Sequence, residues 1–338
     1  INFRILITGC GSIMAHSVIK GLRNIKTDKI HIITTDTTEN SIGKYIGDTF
    51  HVVPLPSEGT SNYIDALLKI CISEKVNVLI PAHDTGLREI SKHKQDFIDI
   101  GCTPIVSDYD VIKIFTDKQN TRDFFKRIGI NTPESFYVKD VLKGKAKMKY
   151  PAFLKPSQGI FSFHTFIVSN KKELETLSKT IPKSFGKPLV QHFIKGREFS
   201  VDAFLDFNKK VIALVSRSRD ERKQGESMKG VTLKEDRILK LAKKVAEESG
   251  IIGPCNIQCF KGDDGEIYFF EINARFPGNA THTIASGVDT PRILIKLLKG
   301  EKIKPMIGKF EENLNVYRYT SELFVDKKGK IRPGLKIR

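Results

Sequence analysis

The first hundred or so residues alternate short apolar segments with amphipathic ones, and this alternation restricts the possible folds more than any other feature. Strands are predicted at residues 5–8, 30–34, 51–53, 76–80 and 104–106. Helices are predicted after the first strand, through Leu22, and after the third strand, at 63–73. Parallel neighbours need crossover helices of this kind, so the pattern predicts an open α/β sheet of parallel strands.

A glycine turn, Gly9-Cys10-Gly11-Ser12, follows the first predicted strand. Small residues at this place let a phosphate approach the backbone at a helix N-terminus, as in dinucleotide-binding folds. The third glycine position of that fingerprint holds Met14. We therefore interpret the turn as structural or as a substrate contact. An NAD-dependent oxidoreductase that uses this turn with Asp36 is kept as an alternative.

A second unit is predicted to begin with a helix at 117–129, which ends at a glycine before Thr132-Pro133. It continues with a strand that carries Lys155, an alternating strand at 161–168 and a helix at 171–179. These segments predict a small α+β layer of the size of a lid.

The rest of the chain is predicted to be antiparallel, and no repeat or low-complexity linker interrupts it. Strands are predicted at 188–194, 198–207 and 211–219, followed by a helix at 236–248 and a hairpin. We therefore predict three closely packed units. They are an N-terminal α/β domain at 1–110, a small subdomain with its linking helix at 111–187, and a large subdomain with a C-terminal extension at 188–338.

The net charge of +17 raises the question of nucleic-acid binding. The lysines are spread along the whole chain, and no aromatic residues interleave with their short runs as a stacking platform would need. We expect no specific nucleic-acid partner, whereas a basic cleft for small polyanions fits the charge.

Cysteine spacing and hydropathy predict a reduced, cytoplasmic protein without a membrane segment. The 5 cysteines are scattered and form no CxxC pair. Cys255 and Cys259 lie four apart on a predicted strand, which favours packing over metal binding. No run approaches eighteen apolar residues, and the chain opens on a strand-like segment without the regions of a signal peptide.

A hairpin near the end of the large unit carries the strongest chemical signal. Side chains alternate along a strand, so Glu271, Asn273 and Arg275 share one face. A turn centred on 263–264 would place residue 258 opposite 269 and residue 256 opposite 271, which brings Asn256 and Gln258 to the same face. One carboxylate with amide oxygens is a ligand set that suits Mg²⁺. A solvated strand face is the competing interpretation.

The chain resembles the ATP-grasp superfamily, and nearly all of it looks like a single synthetase unit of the carbamoyl-phosphate synthase large subunit. The resemblance rests on segments around Lys118, Lys155, 191–198, Gln258 and 271–275, which occur in the order of that superfamily. It implies a Rossmann-like pre-ATP-grasp domain followed by a two-subdomain ATP-grasp fold with antiparallel sheets.

The resemblance also implies roles for the residues of the hairpin and for two lysines. Glu271 and Asn273, with Gln258 as partner, would hold Mg²⁺, for which Mn²⁺ is an open substitute. Lys118 and Lys155 would grip the ATP phosphates. Arg275 would contact a phosphate or the substrate carboxylate, and Lys155, Arg217 and Arg275 would form the catalytic group.

The nucleoside is implied to bind at a hinge. The hinge residues are Gln191, His192, Phe193 and Ile194, whose backbone would bond adenine, and Glu198 would accept hydrogen bonds from the ribose. Gln191 departs from the family, which often has an acid there. The phosphate-covering loop at 157–162 departs further, because it holds one glycine where relatives have several.

Arg217, Arg219 and Lys223 lie where family members contact phosphate and the acyl intermediate. The two arginines share a strand face by their spacing, and Arg217 is favoured.

The implied reaction needs no protein nucleophile: a carboxylate attacks the γ-phosphorus of ATP, and an amine or other nucleophile displaces phosphate from the acylphosphate. The predicted partners are therefore a small-molecule carboxylate and an amine, and a homodimer is left open. Two further alternatives remain besides the oxidoreductase. One is a carbamoyl-phosphate synthase-like subunit acting with a partner, and the other is a non-catalytic nucleotide-binding module.

Overall fold

The computed structural model describes residues 2–56, 61–159, 163–223, 225–332 and 334. In chain order the N-terminal elements are β1 (Asn2–Thr8), α1 (Ile13–Arg23), β2 (Lys29–Asp36), α2 (Gly43–Ile46), β3 (Thr49–Val52), α3 (Asn62–Ser73), β4 (Val78–Pro81), α4 (Asp84–Lys92), α5 (Lys94–Asp99) and β5 (Thr103–Pro104). The strands form one parallel sheet in the order β3-β2-β1-β4-β5. The predicted open α/β sheet is confirmed.

The direction of strand succession reverses between β1 and β4, which lie side by side in this sheet. Here the turn after β1 packs against the loop after β4. Gly9 has φ +63°, and a Cβ at this position would lie 2.6 Å from the Cβ of His83. Ser12 then caps α1 by accepting a hydrogen bond from the amide of Ala15. The turn leaves a crevice at the carboxyl edge of the sheet.

The middle of the chain forms a small antiparallel sheet with helices on it. In chain order the elements are α6 (Tyr109–Phe115), α7 (Lys118–Arg127), β6 (Ser135–Tyr137), α8 (Val138–Leu142), β7 (Ala152–Pro156), β8 (Phe166–Val168), α9 (Lys171–Ser178) and β9 (Pro188–His192). The strands pair in the order β6-β9-β7-β8, and α8 and α9 pack with them around a separate hydrophobic cluster. A part with its own small core can move as a unit.

The limits of this small part differ from the predicted 111–187. Strand β9 pairs with β7 and β6, so the small sheet extends past residue 187. Helix α7 packs on the large domain instead, because Phe125 lies 6.0 Å from Phe269. Residues 161–162 of the predicted strand at 161–168 lie outside the described residues.

The large domain is built on a five-stranded sheet. In chain order the elements are β10 (Gly196–Leu205), β11 (Val211–Ser218), β12 (Glu221–Lys223), β13 (Glu226–Val231), α10 (Asp236–Ser249), β14 (Gly253–Gly262), β15 (Ile267–Asn273), α11 (Ala280–Ala285), α12 (Thr290–Leu298), β16 (Met306–Ile307), β17 (Asn315–Tyr317), β18 (Phe324–Val325) and β19 (Ile331–Arg332). The sheet order is β15-β14-β10-β11-β16, antiparallel except for the last pair. Strands β12, β13 and β17 form a smaller sheet beside it.

The N-terminal and large domains share one continuous hydrophobic core. Helix α1 packs on α11 and α12 with very little space, since a Cβ on Gly21 would lie 2.5 Å from Pro291. Ser17 of the same helix donates a hydrogen bond of 2.7 Å to the carbonyl of Gly278. Helix α1 of the N-terminal domain is therefore held against α11, α12 and the segment that precedes α11.

The hairpin of β14 and β15 carries a correction. Gln258 pairs with Glu271, and Asn256 pairs with Asn273, so the predicted partners 269 and 271 are wrong by two residues. The turn is displaced from its assumed centre, and a β-bulge interrupts the ladder between Gln258 and Cys259. A shift of two residues keeps every side chain on its predicted face.

All 5 cysteines are free and buried. Cys255 and Cys259 lie in the core of β14, where burial raises the pKa of both thiols. Within the described ranges, no helix combines the length and the apolar character that a membrane crossing requires.

Candidate functional site

A central cleft lies where the small sheet, the large sheet and the N-terminal domain meet. Its walls carry the predicted residues Lys118, Lys155, Gln191, Glu198, Arg217, Gln258, Glu271, Asn273 and Arg275. They come from seven elements of the chain, namely α7, β7, β9, β10, β11, β14 and β15 with the residues just after it. The structure thus brings into one cleft nearly all the residues that the sequence singles out.

The hairpin presents its oxygen atoms to this cleft. Gln258 donates 3.0 Å to the Oδ1 of Asn256, and Asn256 donates 2.7 Å to Asp202, so the amide groups are fixed in orientation. Within the described part of the chain, no group donates a hydrogen bond to the carboxylate of Glu271. A carboxylate without a protein donor, next to amide oxygens, fits a hard cation that also binds phosphates.

The ligand set contains few acids. The described residues include no cluster of three or more His, Cys, Asp or Glu side chains that could hold a metal by themselves. Mg²⁺ usually takes one or two carboxylates and completes its shell with water and phosphate. The donor set of Glu271, Asn273 and Gln258 therefore fits Mg²⁺ bound together with a nucleotide.

Two lysines face the acid across the cleft. Lys118 donates 3.0 Å to the carbonyl of Gly159, and its amide donates 2.8 Å to the carbonyl of Ser157. These contacts anchor the described start of the predicted phosphate-covering loop, of which residues 160–162 lie outside the described residues. Burial, reinforced by the charge of Lys118 and opposed by Glu271, lowers the pKa of Lys155 to about 7.

Aromatic rings also line the cleft, and the ring of Phe270 lies 6.0 Å from the Nζ atom of Lys155. Phe260 and Phe270 stack at 4.8 Å, and Phe153 stacks on Phe193 at 5.2 Å. Phe270 comes to the cleft because the bulge places it on the same side as Glu271. Such rings suit the flat face of a purine base.

Of the predicted hinge residues, Gln191 lines the cleft, whereas His192, Phe193 and Ile194 lie beside it. The amide of His192 donates 2.8 Å to the carbonyl of Glu134, which fixes the strand end. The Nε2 atom of His192 is buried, and no partner for it exists among the described residues.

Glu198, the predicted ribose acceptor, is only 6% exposed and pairs with two arginines. It lies 3.0 Å from Arg219 and also contacts Arg222. Burial raises its pKa, while the two guanidinium groups oppose the shift. Burial likewise lowers the pKa of Arg219, and the charge of Glu198 opposes this.

The two catalytic arginine candidates are held by acids that sequence reasoning missed. Arg217 is 4% exposed and lies 3.0 Å from Asp202, which is 2% exposed. Arg275 makes a bidentate contact of 2.9 and 2.8 Å with Asp84 of the N-terminal domain. Asp84 begins helix α4 directly after β4, and this place at the carboxyl end of a parallel strand is the signal that could have found it. Lys223, which the resemblance places with Arg217 and Arg219 near phosphate, is exposed on β12 and is absent from the cleft walls.

The end of the cleft nearest to the N-terminal domain holds three further polar side chains. Arg318 follows β17, Glu226 begins β13, and Asn279 precedes α11. The Oδ1 atom of Asn279 is buried, and no described residue donates to it. No sequence motif marks these residues, because they belong to three separate segments.

Comparisons with known proteins agree with this architecture. Residues 5–105 match the family described as PylC-like, N-terminal domain. Residues 184–322 match the family described as ATP-grasp in the biosynthetic pathway with Ter operon.

Among curated relatives, carbamoyl-phosphate synthase of Methanobrevibacter smithii is 24% identical over 320 residues, covering 88% of this chain and 82% of that protein. The 3-methyl-D-ornithine–L-lysine ligase of Methanosarcina acetivorans is 20% identical, covering 87% of this chain and 74% of that protein. The carbamoyl phosphate synthase large chain of Helicobacter pylori is 25% identical, and the match covers 83% of this chain but only 26% of that protein.

Among solved structures, the biotin carboxylase domain of 2-oxoglutarate carboxylase from Hydrogenobacter thermophilus, solved with MgADP, ADP and bicarbonate, has a TM-score of 0.75. It is 19% identical, and the match covers 93% of this chain and 74% of that chain. N5-carboxyaminoimidazole synthetase of Staphylococcus aureus has a TM-score of 0.68 at 15% identity, covering 90% and 79%. The chain is thus similar to ATP-grasp ligases over most of its length, and its residues 184–322 match an ATP-grasp family.

Proposed function

We propose that this ligase binds ATP with Mg²⁺ in the central cleft and converts a substrate carboxylate into an acylphosphate, which an amine then attacks. One observation carries the proposal. Glu271 presents a carboxylate, to which no described residue donates a hydrogen bond, to a cleft in which Lys155 faces it and aromatic rings line the walls. Nucleotide phosphates and their metal would satisfy all of these groups together.

The reaction would proceed in two transfers. A carboxylate oxygen of the substrate attacks the γ-phosphorus, and the bond between that phosphorus and the β–γ bridging oxygen breaks, which releases ADP. The amine nitrogen then attacks the acyl carbon, and the bond from that carbon to the phosphate oxygen breaks. The amine loses a proton, and phosphate leaves with the electron pair. Bound Mg²⁺ would supply charge neutralisation at the β- and γ-phosphates.

The residues of the chain would act by position and charge. Lys118 and Lys155 would pair with phosphate oxygens, and Glu271, Asn273 and Gln258 would hold the metal. Arg217 and Arg275 would face the charge that develops on the transferred group. Both guanidinium groups are already oriented by an acid, so little rearrangement is needed when substrate arrives.

A trapping experiment tests the ligase reaction. Release of ADP and phosphate is measured with a panel of amino acids, other carboxylates and bicarbonate, with hydroxylamine added as a small nucleophile. We expect one or a few carboxylates to give ADP and a hydroxamate in equal amounts, because hydroxylamine reaches the acylphosphate without a specific amine site. Tight binding of ATP without ADP release across the whole panel would instead support a non-catalytic nucleotide-binding module.

Two of the alternative functions are the oxidoreductase and the carbamoyl-phosphate synthase-like subunit. A dinucleotide pyrophosphate would accept a hydrogen bond from the backbone amide of Gly11. This amide instead donates a hydrogen bond of 2.7 Å to Asp36, which argues against the oxidoreductase. The chain spans about a quarter of the Helicobacter pylori large chain, so the activity of that whole protein is not carried over. A split carbamoyl-phosphate synthase-like arrangement would show as ADP release with bicarbonate in the same panel.

The pH dependence of nucleotide affinity gives a second prediction. The pKa of Lys155 is about 7 in the nucleotide-free protein, and phosphate binding requires its charged form. Affinity for MgADP should therefore be nearly constant below about pH 6 and should fall roughly tenfold or more between pH 6.5 and 8.5, because neutral Lys155 must take up a proton on binding.

Lys155→Arg serves as the comparison, since arginine stays charged over this range. MgADP affinity is measured for both proteins by calorimetry at each pH. The protonation of the nucleotide itself affects both proteins equally, so it cancels in the difference between their affinities. If the wild type and the variant lose affinity in parallel, Lys155 does not bind the phosphates through its charge.

A further inference from the structure

Glu198 lies beside two of the aromatic rings of the central cleft. It is the direct cross-strand partner of Phe260 in the pair of β10 and β14, so the two side chains share one face of the sheet. Phe260 stacks on Phe270, and all three residues line the cleft. A base that stacks on these rings would therefore bring its ribose close to the carboxylate of Glu198.

Two arginines pair with this carboxylate, one at each oxygen. The Oε1 atom lies 3.0 Å from the Nη1 atom of Arg219, and the Oε2 atom accepts a hydrogen bond from the Nη1 atom of Arg222. Glu198 is only 6% exposed. A ribose hydroxyl therefore reaches these oxygens only if one of the neighbouring side chains gives way.

The protein holds the two arginines with different firmness. The side chain of Arg219 is 7% exposed, and it also donates a hydrogen bond to the carbonyl of Gly225. The side chain of Arg222 is 51% exposed, and Glu198 is the only described residue with which it forms an ion pair or a hydrogen bond. Arg219 is thus a fixed partner of Glu198, and Arg222 is a removable one.

Arg222 can leave Glu198 without movement of the backbone. The segment that carries it is anchored at Asp220, whose amide donates 3.0 Å to the carbonyl of Lys229. The carboxylate of Asp220 accepts two hydrogen bonds of 3.0 and 2.9 Å from Arg197. Strand β12 can therefore stay in place while the long side chain of Arg222 turns toward solvent.

The charge of Glu198 remains compensated when Arg222 leaves. Burial raises the pKa of Glu198, and the guanidinium groups of Arg219 and Arg222 oppose this shift. Arg219 keeps its contact after the release, so the buried carboxylate is not left without an opposite charge. Ribose hydroxyls would donate hydrogen bonds to the oxygen that Arg222 gives up.

We propose that Arg222 is a gate over Glu198: its guanidinium competes with the ribose hydroxyls of the nucleotide for this carboxylate and turns away when the nucleotide binds. The inference rests on the proposed function, because it requires a nucleotide in the central cleft. Breaking the ion pair opposes binding, so Arg222 lowers the affinity for nucleotides and weakens the contribution of their ribose hydroxyls.

Calorimetry with two nucleotides tests this competition. Arg222→Met should bind MgADP about tenfold more tightly than the wild type, because methionine cannot pair with Glu198. The magnesium complex of 2′,3′-dideoxy-ADP lacks both ribose hydroxyls and leaves Arg222 on Glu198. Its affinity should therefore differ by less than about twofold between the two proteins.

Two further variants serve as comparisons. Arg237→Met removes an arginine of the same domain that is 55% exposed, lies 2.8 Å from Glu266 and is absent from the cleft walls. This variant should bind both nucleotides as the wild type does. Arg222→Lys keeps a charged donor at the gate, so its affinity for MgADP should stay closer to the wild type than to Arg222→Met.

Equal or weaker binding of MgADP by Arg222→Met, or an equal gain for both nucleotides, would overturn the inference. The proposed function stands in that case if hydroxamate still forms in the trapping experiment. Tighter binding of MgADP by Arg222→Met without any hydroxamate would instead support the gate and reject the proposed reaction. Absence of MgADP binding in both proteins would reject the gate and the proposed function together.

Discussion

Glu271→Gln is expected to lower the rate of Mg²⁺-dependent ADP release on the order of 10³-fold while the protein stays folded. Glutamine keeps the shape of the side chain but removes its charge. Because no described group donates a hydrogen bond to Glu271, the substitution breaks no hydrogen bond with a described residue. The loss would therefore reflect the metal and its nucleotide, and the Mg²⁺ concentration needed for half of the maximal rate should rise.

The control for this variant is Asp263→Asn in the turn of the same hairpin. Asp263 is exposed and lies 3.5 Å from Lys195, so its charge is solvated and remote from the cleft. It should leave both the rate and the Mg²⁺ dependence unchanged. If Glu271→Gln reached the wild-type rate at ordinary Mg²⁺ concentration, the metal would not be held at this strand, and the central proposal would fail.

Asp202→Ala should reduce the free energy of unfolding by about 3–5 kcal/mol. Asp202 is 2% exposed and accepts hydrogen bonds from Arg217, Asn256 and Thr283 at 3.0, 2.7 and 2.5 Å. Its removal leaves the Arg217 guanidinium buried without an opposite charge, which costs far more than the loss of an exposed ion pair.

Urea unfolding followed by far-ultraviolet circular dichroism measures this effect, since the chain contains no tryptophan. Asp65→Ala, on the exposed side of α3, should stay within about 0.5 kcal/mol of the wild type. A further variant that combines Asp202→Ala with Arg217→Met should recover part of the stability, because both buried charges are then removed. Equal stability of Asp202→Ala and the wild type would mean that this pair does not organise the cleft.

Local pattern predicts the parts of the site that lie on single strands. The alternation of Glu271, Asn273 and Arg275 places them on one face, and the structure brings that face into the cleft. The bulge between Gln258 and Cys259 was not predictable, because an extra residue in a ladder leaves no mark in the hydrophobic pattern. The bulge changed which residues of β14 and β15 pair, but each side chain stayed on its predicted face of the sheet.

Partners from distant segments could not be predicted. Arg275 and Asp84 are 191 residues apart, and their contact depends on how two domains pack. Asn279 and Arg318 reach the cleft for the same reason. Glu198 could be named from its motif, but its pairing with Arg219 follows from strand register and a loop conformation. Helices α4 and α11 were also missed, because they are short segments at the ends of loops.

The contact between Asp84 and Arg275 limits how this protein can be recombined with others. The N-terminal domain supplies the acid, and the ATP-binding domain supplies the arginine that the acid orients. A chimera that grafts a foreign N-terminal domain onto residues beyond 110 would need an acid at the first position of the helix after its fourth strand. Without one, Arg275 would lose the acid that orients it, so exchanging the N-terminal domain would also change a wall of the central cleft.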